Sequence, residues 1–471
     1  MDSPCFRMNT SRDPFAAPLL HRIRDRLFSV IIRTMVAVMG SGDQPPKILS
    51  NPKVRGILDG LARLYGFEVQ QVLREKSGQR AAWNLLKSVS TYGIGTPQRL
   101  KAPVSVVWSL SYRCNLRCMH CYQNAGRPSA DELTIEEQFN IVDEMARAGV
   151  SLVVLSGGEP LTNPNLGRLI ERIRKHGMTV SIDSNGVLLD RATVNYLKGL
   201  GVSSIELSLD SVDAEAHDRF RGLNGAFERT LQAVELCSEA GIFTTVATTA
   251  TCLNHEQSSE LISLAREHGA DRVVFFDLIP AGRGRSVESI RLSPSQLLDL
   301  MAIVRKHCSR EKGEVFTELP QYVIYSSTGD GDSISDDSSR ALSFERFTVS
   351  SFFDCAGKSN IYRKFQSYLG GCPAGRLYCN IQPNGDVTPC MFMPSYPVAG
   401  NLRNQSFEDI WNSSTFEALR ERTSLKGKCG QCAFVVVCGG CRAKASAHES
   451  DYLASDPTCL IQAPRTPALS N

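Results

Sequence analysis

The chain has 471 residues, 42% of them hydrophobic and 21% charged, an ordinary globular composition with room for two to three domains. A formal net charge of +3 is too small to argue for nucleic acid as a partner. Sixteen cysteines is a high count, and without a cleavable signal-peptide pattern metal ligation explains them better than disulfides do. A cytoplasmic location is expected on the same grounds. Residues 1–17 read as disordered. Residues 18–39 read as a helix with Leu19, Leu20, Ile23, Leu27, Ile31 and Met35 largely on one face and Arg22, Arg26 and Arg33 mostly off it. Its charges leave far fewer than the roughly 18–20 uninterrupted apolar residues of a span. It either docks on the protein or lies peripherally at the inner face of a membrane. More helical pattern runs from Val54 to Tyr65 and from Glu68 to Lys87, so residues 1–100 form a helical N-terminal extension.

From residue 104 the period changes. Strands are expected over 104–110, 151–155, 178–183, 203–208, 243–249 and 271–276. Helices are expected over 134–148, 164–176, 190–200, 226–240 and 256–268. Six strand–helix units argue for an α/β class with a parallel sheet and helices outside. Residues 101–290 form this core. Residues 291–365 read as a bridge carrying a mobile acidic insertion, Ser326 to Ser339. Residues 366–471 read as a second, cysteine-rich module.

The first strand leads into Cys114-Asn-Leu-Arg-Cys118-Met-His-Cys121. Iron–sulfur centres normally take four cysteines. A compact triplet can hold three irons of a cube and leave the fourth open for a small molecule. The second strand ends in Ser156-Gly157-Gly158-Glu159-Pro160, the third in Ser184-Asn185-Gly186 and the fourth in Ser208-Leu209-Asp210-Ser211. All lie at carboxyl ends of strands, where barrels of this kind gather their chemistry.

This ordered set resembles the radical SAM superfamily. The resemblance implies a partial (β/α)6 radical SAM barrel and a 4Fe-4S cluster on Cys114, Cys118 and Cys121 that binds S-adenosyl-L-methionine (SAM). It implies an electron donor such as flavodoxin or ferredoxin. Gly157 and Gly158 would let the backbone approach the methionyl amine. Pro160 would hold the turn, and Glu159 would sit beside that amine. Ser184 and Asn185 would end the third strand near the cofactor, and Ser208 would contact SAM. Arg221, in His217-Asp-Arg-Phe-Arg-Gly222, would pair with the SAM carboxylate, and His120 would pack near adenine. For Ser208 and Arg221 a plain turn or salt-bridge role is the alternative. No side chain is expected to be catalytic beyond the cluster and cofactor.

Eight cysteines lie between 372 and 459: Cys372, Cys379, Cys390, Cys429, Cys432, Cys438, Cys441 and Cys459. Eight ligands suffice for two clusters, and paired C-x-x-C units alone would equally suit zinc. After such a core the layout resembles the SPASM extension of radical SAM enzymes. That resemblance implies one or two auxiliary iron–sulfur clusters, one on Cys372, Cys379, Cys390 and Cys441 and the other on Cys429, Cys432, Cys438 and Cys459. With all eight bound neither cluster has a free site, which favours electron transfer. Cys5, Cys237, Cys252, Cys308 and Cys355 match no motif. Cys237 and Cys308 read as core residues, and Cys355 as a substitute ligand.

The expected activity is reductive cleavage of SAM and hydrogen abstraction from a substrate. The stretches Gly371–Cys390, Gly400–Trp411 and Cys438–Ala443 resemble enzymes of the alternative haem and denitrification-haem pathways, which implies an iron tetrapyrrole whose side chains are removed or oxidatively decarboxylated. Radical chemistry on membrane lipid acyl chains, suggested by the basic helix at 18–39, is a second reading. Maturation of a peptide or protein is a third, and a non-catalytic iron–sulfur redox protein a fourth.

Overall fold

The computed structural model describes residues 75–95, 97–308, 314–322, 325 and 371–460. The proposed helix at 18–39, the Val54–Tyr65 helix, the acidic insertion, Cys5 and Cys355 lie outside the described residues.

Strands rich in Val, Ile and Leu suit a sheet covered on both faces, and β1 (Ser105–Ser109) and β2 (Leu152–Ser156) are buried throughout. They are followed by β3 (Thr179–Ser184), β4 (Ser204–Ser208), β5 (Phe243–Ala250), β6 (Arg272–Asp277) and β7 (Glu314–Thr317), all parallel and paired in chain order. Three strands of the C-terminal segment join the other edge. β8 (Tyr378–Ile381) runs parallel to β1, and β9 (Asp386–Thr388) and β10 (Gly400–Asn401) add antiparallel, giving the order β10-β9-β8-β1-β2-β3-β4-β5-β6-β7.

The sheet curls. β7 and β8 are seven steps apart in that order, which on a flat sheet would be about 34 Å. Yet Glu318, just past β7, and Tyr378 of β8 line one cavity. A partial barrel is the shape that brings them together, as the sequence predicts. It is longer by β7 than the six expected strands, and its open side is flanked by the C-terminal hairpin.

The helices are α1 (Lys76–Tyr92), α2 (Ile135–Ala148), α3 (Leu166–Lys175), α4 (Arg191–Gly199), α5 (Ala214–Arg221), α6 (Ala226–Glu239), α7 (Ser258–Glu267) and α8 (Pro294–Cys308). Short ones follow: α9 (Phe407–Trp411), α10 (Ser414–Arg420), α11 (Gly427–Gly430) and α12 (Arg442–Glu449). Their starts are written locally. Thr134 and Glu137 form a reciprocal capping box on α2, and Asp190 and Asp213 cap α4 and α5. Alternation along the strands divides the interior. Val106, Trp108, Val153, Leu155, Val180, Ile182, Ile205, Leu207 and Val246 face the helices in the main core, joined there by Phe407, Trp411 and Phe416 of the C-terminal segment. Val107, Val154, Ala247, Val274, Phe316 and Tyr378 face the lumen of the barrel.

Candidate functional site

The loop after β1 is tied down by backbone. Cys114 N donates to Gly126 O (3.2 Å) and Gly126 N to Tyr112 O (2.8 Å). Arg117 N and Met119 N donate to Arg221 O and Phe220 O of α5 (3.2 and 3.0 Å). Arg283, from the turn after β6, clamps the far side. Its Nε donates to Cys118 O (2.8 Å), its Nη1 to Ala125 O (2.7 Å), and its backbone N to Cys121 O (2.9 Å). The clamp needs Gly282, where a Cβ would lie 2.4 Å from Tyr122 O and 2.5 Å from Cys121 O.

The loop brings Cys114, Cys118 and Cys121 together. Each thiolate is close enough to oppose ionisation of Cys114, and burial pushes that thiol up to about 12. The Cys118 thiol is also held up by burial, against the pull of Arg221, whose Nη1 lies 3.9 Å from Cys118 Sγ. Three thiols in one loop, Cys118 buried and Cys114 and Cys121 half-buried, with one cation beside them suit a positively charged centre. Among the described residues no three His, Cys, Asp or Glu side chains converge on a single ion, whereas the iron corners of a cubane need ligands set further apart.

The Gly-Gly-Glu-Pro turn crosses the start of this loop. Gly157 has φ +131, and a Cβ there would lie 2.8 Å from Ser111 O; a Cβ on Gly158 would lie 2.1 Å from Arg113 O. Glu159 is 2% exposed. It accepts from Leu161 N (3.1 Å), Ser184 Oγ (2.9 Å) and Asn185 N (2.9 Å), and burial pushes its carboxyl up to about 7. Pro160 opens the short 3-10 turn that follows. Asn185 Nδ2 reaches Asn115 Oδ1 of the cysteine loop (2.9 Å), linking the end of β3 to it. Ser208 ends β4 half-buried. Arg221 gives its Nε to Asp210 Oδ2 (2.6 Å), a buried pair that fixes its guanidinium at the edge of the thiol cluster. His120 stacks on Phe220 with centroids 4.3 Å apart, and burial lowers it to about 3, so its ring is neutral.

The second thiol set opens on the lumen face. Cys372, Cys390 and Cys441 line one cavity with Phe276, Asp277, Glu318, Tyr378, Phe392 and Lys444, and the Tyr378 hydroxyl donates to Cys390 Sγ (2.7 Å). Cys379 is not with them. It pairs with Val106 in register, sits 0% exposed in the helix-side core, and neighbours Arg420. Tyr378 takes the lumen face, so by alternation Cys379 must point to the other side of the sheet. The expected four-cysteine set is therefore corrected to three. The remaining four, Cys429, Cys432, Cys438 and Cys459, gather around α11, and the sulfurs of the first three accept N–H donors as cluster thiolates do. Asp456 N reaches Cys429 (3.3 Å), Phe434 N reaches Cys432 (3.4 Å) and Gly440 N reaches Cys438 (3.4 Å); Cys459 lies close enough to Cys438 to oppose its ionisation. Cys237 is a core residue of α6.

The family model described as the Radical SAM superfamily matches residues 108–268, and the SPASM model, an iron–sulfur cluster-binding domain, matches 372–433. An AdoMet-dependent heme synthase of Methanosarcina barkeri is 34% identical over 77% of this chain and 97% of its own.

The chain belongs to the radical SAM superfamily.

The mycofactocin maturase MftC of Mycobacterium tuberculosis is 31% identical over 79% of this chain and 86% of its own. The fold is shared with SuiB of Streptococcus suis, solved bound to the precursor peptide SuiA, at a TM-score of 0.60 and 19% identity over 82% and 80% of the two chains. As a radical SAM protein with a SPASM domain, this chain binds a 4Fe-4S cluster, SAM and auxiliary iron–sulfur clusters. The donor chemistry fits: thiols in sets of three, three and four, and glycines where a Cβ would strike the backbone leading into the first set. Residues of this radical SAM site that sequence reading missed are Arg283, Asn115, Asp210, Tyr378 and Lys444. Lys444 pairs with Asp277 behind the second cavity. The Gly282-Arg-Gly-Arg285 string after a strand end was the available signal for Arg283. Asn115 and Asp210 lie inside the cysteine loop and the fourth strand end, where no role was given to them, and nothing local marked Tyr378 or Lys444. No described helix is long and apolar enough to cross a membrane.

Proposed function

We propose that this radical SAM enzyme abstracts hydrogen from a side chain of an iron tetrapyrrole. When bound and reduced, the cluster on Cys114, Cys118 and Cys121 supplies the electron that cleaves SAM to a 5′-deoxyadenosyl radical; that organic chemistry is the cofactor's. The chain's own residues do the rest. Glu159 offers its remaining acceptor capacity to the methionyl amine. Gly157 and Gly158 let the Gly-Gly-Glu-Pro turn cross tightly against the start of the cysteine loop, Arg221 and Asp210 hold the cluster's edge, and His120 adds a neutral stacked ring. Ser208, Ser184 and Asn185 close the site at the strand ends. Residues Cys372, Cys390 and Cys441 would hold one auxiliary cluster at the wall of the lumen. With three thiols it would keep a free corner toward the substrate space. The four-thiol set would hold a closed cluster suited to electron transfer.

The observation that carries the reading is that the thiol triplet and the three-thiol cavity meet at one residue: Tyr122 packs in the lumen cluster with Cys372 and Cys390 and feels the charges of both Cys121 and Cys390. The likeness to a heme synthase over nearly that protein's whole length supports a tetrapyrrole in the space between. Anaerobically reconstituted enzyme, given dithionite, SAM and iron coproporphyrin III, is expected to release 5′-deoxyadenosine together with a tetrapyrrole of changed mass. Unchanged tetrapyrrole alongside steady SAM cleavage would overturn the substrate assignment. The likeness to a mycofactocin maturase supports the peptide reading as second; a mass change in a small precursor peptide under the same conditions would put it first.

A further inference from the structure

The lumen carries three carboxyl groups that the reading above leaves unused. Asp183 of β3 and Glu206 of β4 are register partners. Paired residues of a parallel ladder share a face, and neighbouring strands lie about 4.8 Å apart. Ile182, Ile205 and Leu207 belong to the helix-side core, so the two carboxyls stand side by side on the lumen face. Glu318 faces them from beyond β7, near enough for its charge to act on Glu206. The row runs on through Thr245 of β5, Arg272 of β6 and Glu314 of β7.

These acids have little to satisfy them. Arg272 acts on Glu206 and Glu318 from a distance. Its Nε and Nη2 are 3.0 and 2.6 Å from Glu314 Oε2, and its guanidinium stacks on Phe243 and Phe316. Asp183 has a hydrogen bond from Ser156 and feels the charge of Glu159. Thr245 is 1% exposed, and among the described residues neither its hydroxyl nor Oε1 of Glu318 has a hydrogen-bond partner. Burial pushes Asp183 up to about 7 and Glu318 up to about 8, and burial with the charges of Asp183 and Glu318 holds Glu206 well above the carboxylate range. Toward neutrality Glu318 thus keeps its O–H, beside the unpartnered hydroxyl of Thr245, while Asp183 is part-ionised.

We propose that Asp183, Glu206, Thr245 and Glu318 form a recognition site for a carboxylate side chain of the substrate, held by hydrogen bonds donated from the acids and the hydroxyl. Such acid-to-carboxylate bonds are charge-assisted and short. The site deepens the tetrapyrrole reading and rests on it, since the side chains of such substrates end in carboxylates.

The test titrates reconstituted full-length enzyme with iron coproporphyrin III and, separately, with its tetramethyl ester, following the Soret band between about pH 6 and 9. The acid form binds more weakly as pH rises and the wall ionises, on the order of tenfold across that range, the worth of one hydrogen bond to a charged group. The ester binds with a flat profile. Asp183→Asn with Glu206→Gln and Glu318→Gln flattens the acid's profile and keeps its low-pH affinity, because the amides still donate. A flat profile for the acid, equal behaviour of acid and ester, or affinity rising with pH as for a cation site would each overturn the proposal. Absence of any Soret change at every pH would remove the tetrapyrrole reading itself and this site with it.

Discussion

Gly158→Ala is expected to slow SAM cleavage on the order of 100-fold in a protein that still folds. The added methyl would lie 2.1 Å from Arg113 O, 2.6 Å from Arg113 C and 2.9 Å from Tyr112 O. All three are backbone atoms leading into the thiol triplet, so no side chain can swing aside. Two bonds lock the strands at this crossing: Gly158 N donates to Ser111 O (2.7 Å) and Glu159 N to Arg113 O (2.8 Å). Relief of the clash must push the cysteine loop and Glu159 apart, displacing the carboxylate proposed to meet the methionyl amine by about an ångström. A displacement of that size can cost on the order of 100-fold in rate. The check is 5′-deoxyadenosine formation by mass spectrometry, with iron content and circular dichroism on the same sample. Activity within about threefold of wild type would show that the crossing is not where the cofactor is positioned.

Asp210→Ala is expected to cause the largest loss of stability. Asp210 and Arg221 are 2% and 8% exposed, and Asp210 also accepts from Thr249 N (2.8 Å). Removing the carboxylate leaves a buried guanidinium unpaired, a change worth about 3–5 kcal/mol. It should lower the thermal midpoint at a fixed scan rate by on the order of 10 °C. Asp210→Asn, which keeps the Thr249 contact, should lose less. The pair also sets a pH response. Against the opposing effect of burial, Arg221 and the Thr249 N–H hold the Asp210 carboxyl below its ordinary value. A carboxyl lowered in the folded state binds its proton more readily when unfolded. Its contribution is thus present above the unfolded value, about 3.9, and is lost as pH falls through the folded one. The wild-type midpoint should therefore drop more steeply with acidification than that of Asp210→Ala. A midpoint for the alanine variant within about 1 °C of wild type would contradict the structural role given to the pair.

Much of the core was legible because the hydrophobic period switches cleanly at residue 104, and the six expected strands fall within one or two residues of β1 to β6. α5 was not anticipated because only His217, Phe220 and Arg221 of its eight residues are buried, too few to write an apolar stripe. β7 was hidden for a related reason: four residues, Glu314–Thr317, read as part of a linker until β6 supplies their partner. Cys379 was placed with Cys372, Cys390 and Cys441 by the SPASM resemblance. Its face is decided by pairing with Val106, some 270 positions earlier, and no count of residues between cysteines carries that information. Asp183 and Glu206 were passed over as ordinary strand positions, since their adjacency exists only once β3 and β4 are in register. Arg283 sits in a glycine-flanked turn whose purpose appears only when it meets the carbonyls of Cys118 and Ala125.

The central claim is that the fold sorts the thiols into three sets and excludes Cys379. The direct measurement is iron and sulfide content, with 5′-deoxyadenosine yield, on anaerobically reconstituted wild type and three variants. Cys114→Ala with Cys118→Ala and Cys121→Ala should lose about four irons per chain and all SAM cleavage. Cys390→Ala should lose or deplete a different cluster and still cleave SAM. Cys379→Ala should match wild type in iron. Iron lost from Cys379→Ala to the same extent as from Cys390→Ala, or SAM cleavage surviving in the triple variant, would contradict the assignment.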